Sequence, residues 1–174
     1  MKHLKKTVLA SAVSLCLSGG AMAASWELVQ SYGTVTTNVE QGPAEDSIQG
    51  INTVYDLAAN ADVVNVDQDV VSSTSVSFTQ GNSGGPVSGS LQGGNIVYVP
   101  NGTVTLLDQD IEKVLKEDQV GNVSGSKQAA NYIEADVIVT ATQTVTPAAS
   151  VILNQDVTGS GNKQALNEAI VGTT

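Results

Sequence analysis

Gln119-Val-Gly-Asn-Val-Ser-Gly-Ser-Lys-Gln-Ala-Ala-Asn131 decides the reading of this chain, because its skeleton returns as Gln155-Asp-Val-Thr-Gly-Ser-Gly-Asn-Lys-Gln-Ala-Leu-Asn167. Two earlier segments, QGPAEDSIQGIN at 41–52 and QGNSGGPVSGSLQGGN at 80–95, carry looser copies. In all four a leading glutamine (Gln41, Gln80, Gln119, Gln155) is followed by a second (Gln49, Gln92, Gln128, Gln164). Three residues after the second comes an asparagine: Asn52, Asn95, Asn131 or Asn167. The leading glutamines are spaced 39, 39 and 36 residues apart, and a further one, Gln30, Gln68, Gln109 or Gln143, stands ten to twelve residues before each.

Self-similarity at this period is the signature of a repeat architecture. Each unit reads as a strand, a second strand ending at the leading Gln, a Gly/Ser/Asn turn, and a third segment carrying Gln-x-x-Asn. The expected fold is all-β: a stacked-repeat β-solenoid of cross-β type, with four imperfect units of about 37 residues (27–62, 63–103, 104–138 and 139–174). A β-sandwich with polar loops is the alternative, but it gives no reason to repeat an amide at a fixed phase.

The amides have a physical reason in the stacked fold. When equivalent residues of successive strands lie about 4.8 Å apart, each carboxamide can donate to one neighbour and accept from the other. A column of amides then satisfies itself in a dry interior, where an unpaired amide is costly. The first and last strands of such a pile carry unpaired backbone, which recruits another chain unless it is capped.

One stretch leaves two readings open. Around 108–118, Ile111, Val114 and Leu115 fall at helical spacing, and Asp108 or Asp110 can cap. A short helix there competes with the strand that the repeat requires.

Outside the repeat, the chain opens with Lys2, Lys5 and Lys6, an apolar stretch from about Thr7 to Leu17, and Ala21-Met-Ala23. Those are the parts of an export signal, so 1–23 is expected to be cleaved and 24–174 to form a single repeat domain. The only cysteine, Cys16, lies inside that signal, so disulfides and thiolate metal sites are excluded from the remainder. No other apolar run approaches the roughly 20 residues of a membrane helix.

After cleavage, Lys113, Lys116, Lys127 and Lys163 face 17 acidic residues, which disfavours nucleic acid as a partner. That charge serves either a cation-binding surface or the solubility of a sticky chain during export. The aromatic residues are few for a core of this length, while Val, Thr, Ser, Gln, Asn and Gly dominate. Such a mixture favours strands, tight turns and side-chain ladders.

No enzyme is expected. Gly81-Asn-Ser-Gly-Gly-Pro86 looks like the nucleophile loop of trypsin-like proteases, yet Ser83 would need a histidine base, and His3, the only histidine, is in the signal. No cofactor is implied. Asp67, Asp69, Asp108 and Asp110 alternate about Gln68 and Gln109; on adjacent strands they could bind calcium, or act as gatekeeping charge beside an aggregation-prone strand. No metal site is assigned to them.

Gly159-Ser-Gly-Asn-Lys-Gln-Ala-Leu-Asn-Glu-Ala-Ile170 resembles the repeats of bacterial functional amyloids, above all the Fap fibre subunits of pseudomonads, and Gly125 to Ile133 is a weaker copy. Ser150, Gln155, Gly159, Gly161, Asn162 and Ala165 are similar to the curli repeat. The resemblance implies a Gram-negative bacterium, passage through the periplasm, an outer-membrane export pore, and a nucleator or co-subunit. It also implies self-association into extracellular fibres that serve biofilm matrix and surface adhesion. The alternative is a soluble acidic β-solenoid or sandwich that acts as an adhesion module, with calcium dependence open.

Overall fold

The structure is a computed structural model and describes residues 8–10, 14–16, 26–32, 36–41, 44–55, 57, 62–70, 75–81, 86–112, 114–146 and 149–172. Fifteen strands account for most of them. They are β1 (Val8–Ala10), β2 (Ser14–Cys16), β3 (Trp26–Tyr32), β4 (Thr36–Gln41), β5 (Ala44–Glu45), β6 (Ile48–Tyr55), β7 (Asp62–Val70) and β8 (Ser75–Gln80). Then come β9 (Val87–Ser88), β10 (Leu91–Ile111), β11 (Val114–Gly121), β12 (Val123–Ser124), β13 (Lys127–Val145), β14 (Val151–Val157) and β15 (Lys163–Val171).

The described region is all-β with parallel sheets. An eight-stranded sheet contains β1, β2, β3, β6, β7, β10, β13 and β15; β4, β8, β11 and β14 form a second sheet, and β5, β9 and β12 a third. A sandwich would need antiparallel neighbours, and every pair among the described residues is parallel. Along the sequence the chain visits the three sheets in one recurring order: β3, β4, β5, β6, then β7, β8, β9, β10 and on through β11, β12 and β13.

Both β10 and β13 serve the large sheet twice. The first half of β10 lies between β6 and β13, and its second half between β7 and β13, with a register shift between Val99 and Thr103. Alternation along these strands sorts the side chains. In β10, Val104, Leu107, Gln109 and Ile111 are buried while Thr105, Leu106 and Asp108 are exposed.

The segment 108–118, where helix and strand are both open in the sequence, contains no helix among its described residues. Asp108–Ile111 pairs with Asp67–Val70 on one side and Thr142–Val145 on the other, and Leu115–Gln119 lies between Val76–Gln80 and Val151–Gln155. A ladder on both edges outweighs a helix of this length, which is marginal without a packed apolar stripe. Local propensity loses to the repeat.

One apolar cluster, centred on Ile51, Phe78, Ile111 and Leu115, joins the eight-stranded sheet to the second sheet, while two others, centred on Val66, Val97, Leu107 and Ile133 and on Leu91, Ile96 and Tyr132, draw on strands of the eight-stranded sheet itself. Val87 and Val123 form a fourth at the small sheet. Burying each such side chain contributes about 1.5–3 kcal/mol before the entropy of ordering is subtracted. Among the described residues no helix is long and apolar enough to cross a membrane.

Four turns that lead into strands of the large sheet use positive φ. Gly89, Gly125 and Gly161 occupy that corner at φ 60°, 61° and 76°, and Asp46 does so ahead of β6 at 48°. Backbone bonds mark the equivalence, since Asp46 N donates to Ser88 O, Gly89 N to Ser124 O and Gly125 N to Ser160 O. Left-handed geometry costs little at glycine, and aspartate is one of the few other residues that tolerates it.

Candidate functional site: the interior amide columns

Strand register brings the repeated amides face to face. Gln49, Gln92, Gln128 and Gln164 are mutually paired across β6, β10, β13 and β15, and Asn52, Asn95, Asn131 and Asn167 follow the same order. Gln41, Gln80, Gln119 and Gln155 align across β4, β8, β11 and β14. A fourth set, Gln30, Gln68, Gln109 and Gln143, aligns across β3, β7 and the second halves of β10 and β13.

The side chains are bonded as ladders. Gln92 Nε2 donates to Gln49 Oε1 at 2.8 Å, Gln128 to Gln92 at 2.9 Å and Gln164 to Gln128 at 2.8 Å. Gln119 donates to Gln80 at 3.1 Å and Gln155 to Gln119 at 2.9 Å. In the asparagine column, Asn52 Nδ2 donates to Asn95 Oδ1 at 2.8 Å, Asn95 to Asn131 at 3.0 Å and Asn131 to Asn167 at 2.9 Å.

The amides also brace one sheet face against another, which the sequence reading did not anticipate. Asn52, Asn95 and Asn131 donate to the backbone oxygens of Asp69, Asp110 and Thr144, three equivalent positions on the neighbouring strand segments. Gln92 and Gln128 reach the carbonyls of Asp118 and Asn154 in the second sheet. Each carboxamide N–H pair can thus serve the ladder with one hydrogen and a facing backbone with the other.

Gln68, Gln109 and Gln143 were noticed in the sequence but not counted in the ladder. They form one: Gln109 Nε2 donates to Gln68 Oε1 at 2.7 Å and Gln143 to Gln109 at 2.8 Å, while Gln109 and Gln143 also reach the carbonyls of Tyr132 and Glu168. A smaller column was missed altogether. Ser47 N donates to Ser90 Oγ, Ser90 N to Ser126 Oγ and Ser126 N to Asn162 Oδ1, a pattern foreshadowed by the recurring Val-Ser-Gly-Ser.

Burial changes along the columns. Gln49, Gln92 and Gln128 are fully buried, as are Gln80 and Gln119. Gln164 and Asn167 are exposed, and Val151, Val157 and Ala165 are only half-buried where Leu115, Val123 and Ala129 are sealed. Burial thus falls off at β14 and β15.

The acidic residues also align: Asp108 is the register partner of Asp67, and Asp110 of Asp69. Partial burial, and then the charges of Asp67, Asp110, Glu112 and Asp108, push the Asp69 carboxyl up to about 6. Burial followed by Asp110 and Asp67 raises Asp108 too. No group of three or more His, Cys, Asp or Glu side chains among the described residues is arranged to hold a metal ion. Ser83 lies outside the described residues.

Among the described residues, Glu117 is the wholly buried carboxyl with neither oxygen hydrogen-bonded, and its burial raises its pKa well above the ordinary range. Beside β6, β10 and β13, a groove of about 300 Å³ is lined by residues including Asp46, Leu91, Lys127 and Glu134. In it Tyr55 and Tyr98 are stacked at 5.5 Å, and the Lys127 ammonium sits 5.1 Å from the Tyr132 ring centre.

Comparison with known proteins gives no match to any family model, curated protein or solved structure.

Proposed function

We propose that this chain is a secreted structural subunit that polymerises into an extracellular amyloid-type fibre. In this reading its four repeats wind as rungs of a β-solenoid, and copies join end to end with the same spacing. The observation that carries it is the set of interior Gln and Asn columns, in register through successive parallel strands. A ladder of this kind is completed, not interrupted, by another identical rung. The loss of burial at β14 and β15 supports the same conclusion, since Gln164 and Asn167 stand exposed where their equivalents are sealed.

The resemblance of Gly159–Ile170 to Fap-type repeats points toward biofilm matrix and surface adhesion, with export through an outer-membrane pore and a nucleator or co-subunit as partners. The test is incubation of the exported chain, 24–174, in dilute buffer with thioflavin as reporter. Fibres that shorten the lag of fresh protein are expected. A monomer that persists for weeks at high concentration contradicts the polymer.

A second reading, a surface adhesion module, is favoured by the groove beside Tyr55 and Tyr98. A stacked aromatic pair flanked by charge is a surface on which a polar ligand can rest. The same incubation separates the two readings.

A further inference from the structure

The amide columns have a direction. In the three glutamine columns each Nε2 points back toward the preceding unit, as Gln92 does to Gln49, Gln109 to Gln68 and Gln119 to Gln80. In the asparagine column Nδ2 points onward, from Asn52 to Asn95 and from Asn131 to Asn167. The outer edge of β6 is therefore left with the donor of Gln49 and the acceptor side of Asn52. Gln49 Nε2 is buried and has no hydrogen-bond partner among the described residues.

The outer edge of β15 carries the opposite set. Gln164 spends its donor on Gln128 and turns its oxygen outward; Asn167 accepts from Asn131 and donates to the backbone of Gln143, with a second N–H left over. Donor meets acceptor at both positions when β15 of one copy is set against β6 of the next. Continuing the register that relates Ile48, Leu91, Lys127 and Lys163 places Gln164 opposite Gln49 and Asn167 opposite Asn52.

That edge of β6 is already occupied within the chain. Val8, Leu9 and Ala10 pair parallel with Ile48, Gln49 and Gly50, and Ser14, Leu15 and Cys16 with Thr53, Val54 and Tyr55. These two short strands supply a backbone ladder, but the Gln49 amide donor stays without a hydrogen-bond partner among the described residues, so the edge is satisfied incompletely.

We propose that β1 (Val8–Ala10) and β2 (Ser14–Cys16) act as a guard on β6. Until the export signal is removed they hold the seat on β6 that Lys163–Val171 of a second copy takes afterwards, which confines polymerisation to the processed chain. This deepens the polymer reading and rests on it.

The test compares seeded elongation of the full chain with that of the full chain carrying Leu9→Pro and Leu15→Pro, since proline removes a ladder donor and breaks short strands. Growth at least tenfold faster in the variant is expected; equal rates overturn the guard. In a second measurement the proline variant, with Cys16→Ser, is prepared with either Tyr55→Cys or Ile170→Cys, and the two preparations are mixed, grown into fibres and oxidised. Tyr55 and Ile170 are equivalent through Tyr98 and Glu134, so a mixed disulfide is expected. Fibres that form without it overturn the seat. If neither chain grows fibres at all, the polymer reading fails and the guard fails with it.

Discussion

Gln128 Nε2 lies 2.9 Å from Gln92 Oε1, with both side chains fully buried although the residues are 36 apart in sequence. The contact is one link of a chain that continues to Gln49 and Gln164. Removing it strands polar atoms on both sides.

Gln128→Ala should therefore destabilise the fold by about 1–3 kcal/mol, the penalty for leaving buried amide groups unpaired. For a chain of this size that is a fall in Tm of several degrees, measured by thermal circular dichroism. Adding Gln164→Ala should cost less than it does alone, because the two residues share one bond. The double variant should also slow fibre growth, whereas Ser83→Ala should leave growth unchanged; additive melts and unaltered growth kinetics would remove the ladder from the account.

Glu117 predicts a pH dependence with a definite sign. Its folded pKa is raised above the ordinary 4.5, so the folded state holds a proton that the unfolded chain releases. The stability this provides is complete below about 4.5 and is lost as pH rises toward the folded value. Urea melts between pH 4 and 8 should show falling stability, and Glu117→Gln should flatten the slope. A variant with an unchanged slope would mean that Glu117 finds a partner when charged.

The all-β fold was legible from the strand-favouring composition and the recurring amides, and the strand register pairs Gln49, Gln92, Gln128 and Gln164 with one another. What the recurring spacing could not supply was the facing partner. That Asn95 also reaches the carbonyl of Asp110 depends on a bend after Val99 that folds one half of β10 against the other. The ambiguity around 108–118 had a similar origin: Leu115, Glu117 and Gln119 alternate as a buried strand face, but a buried glutamate hides that pattern from any polarity-based reading.

The corner occupied by Asp46, Gly89, Gly125 and Gly161 gives paired substitutions of opposite sign. Asp46→Gly should be neutral or stabilising, since the backbone already sits at φ 48°. Gly125→Ala should cost about 1–2 kcal/mol from the left-handed conformation alone. Its added carbon would meet only ordinary contact with Gly89 N at 3.9 Å. Equilibrium urea unfolding of both variants checks the pair; equal effects would contradict the shared corner.

Asp69 should titrate near 6 in the folded chain, followed through its carboxyl carbon by NMR. Burial contributes most, and the charges of Asp67 and Asp110 add to it, so Asp110→Asn should move the midpoint down. Because this folded pKa also lies above the ordinary 3.8, the carboxyl favours the folded state below that value and ceases to as pH rises through about 6. A midpoint that ignores Asp110→Asn would separate the two aspartates.

If copies add end to end as proposed, each contributes four rungs to the fibre. With rungs about 4.8 Å apart, one subunit then occupies about 19 Å of the axis. Mass per length of the fibres, read by scanning transmission electron microscopy, measures this directly. One chain per roughly 19 Å in each protofilament is the predicted result, whereas one chain per roughly 4.8 Å, a single layer from each molecule, would contradict it.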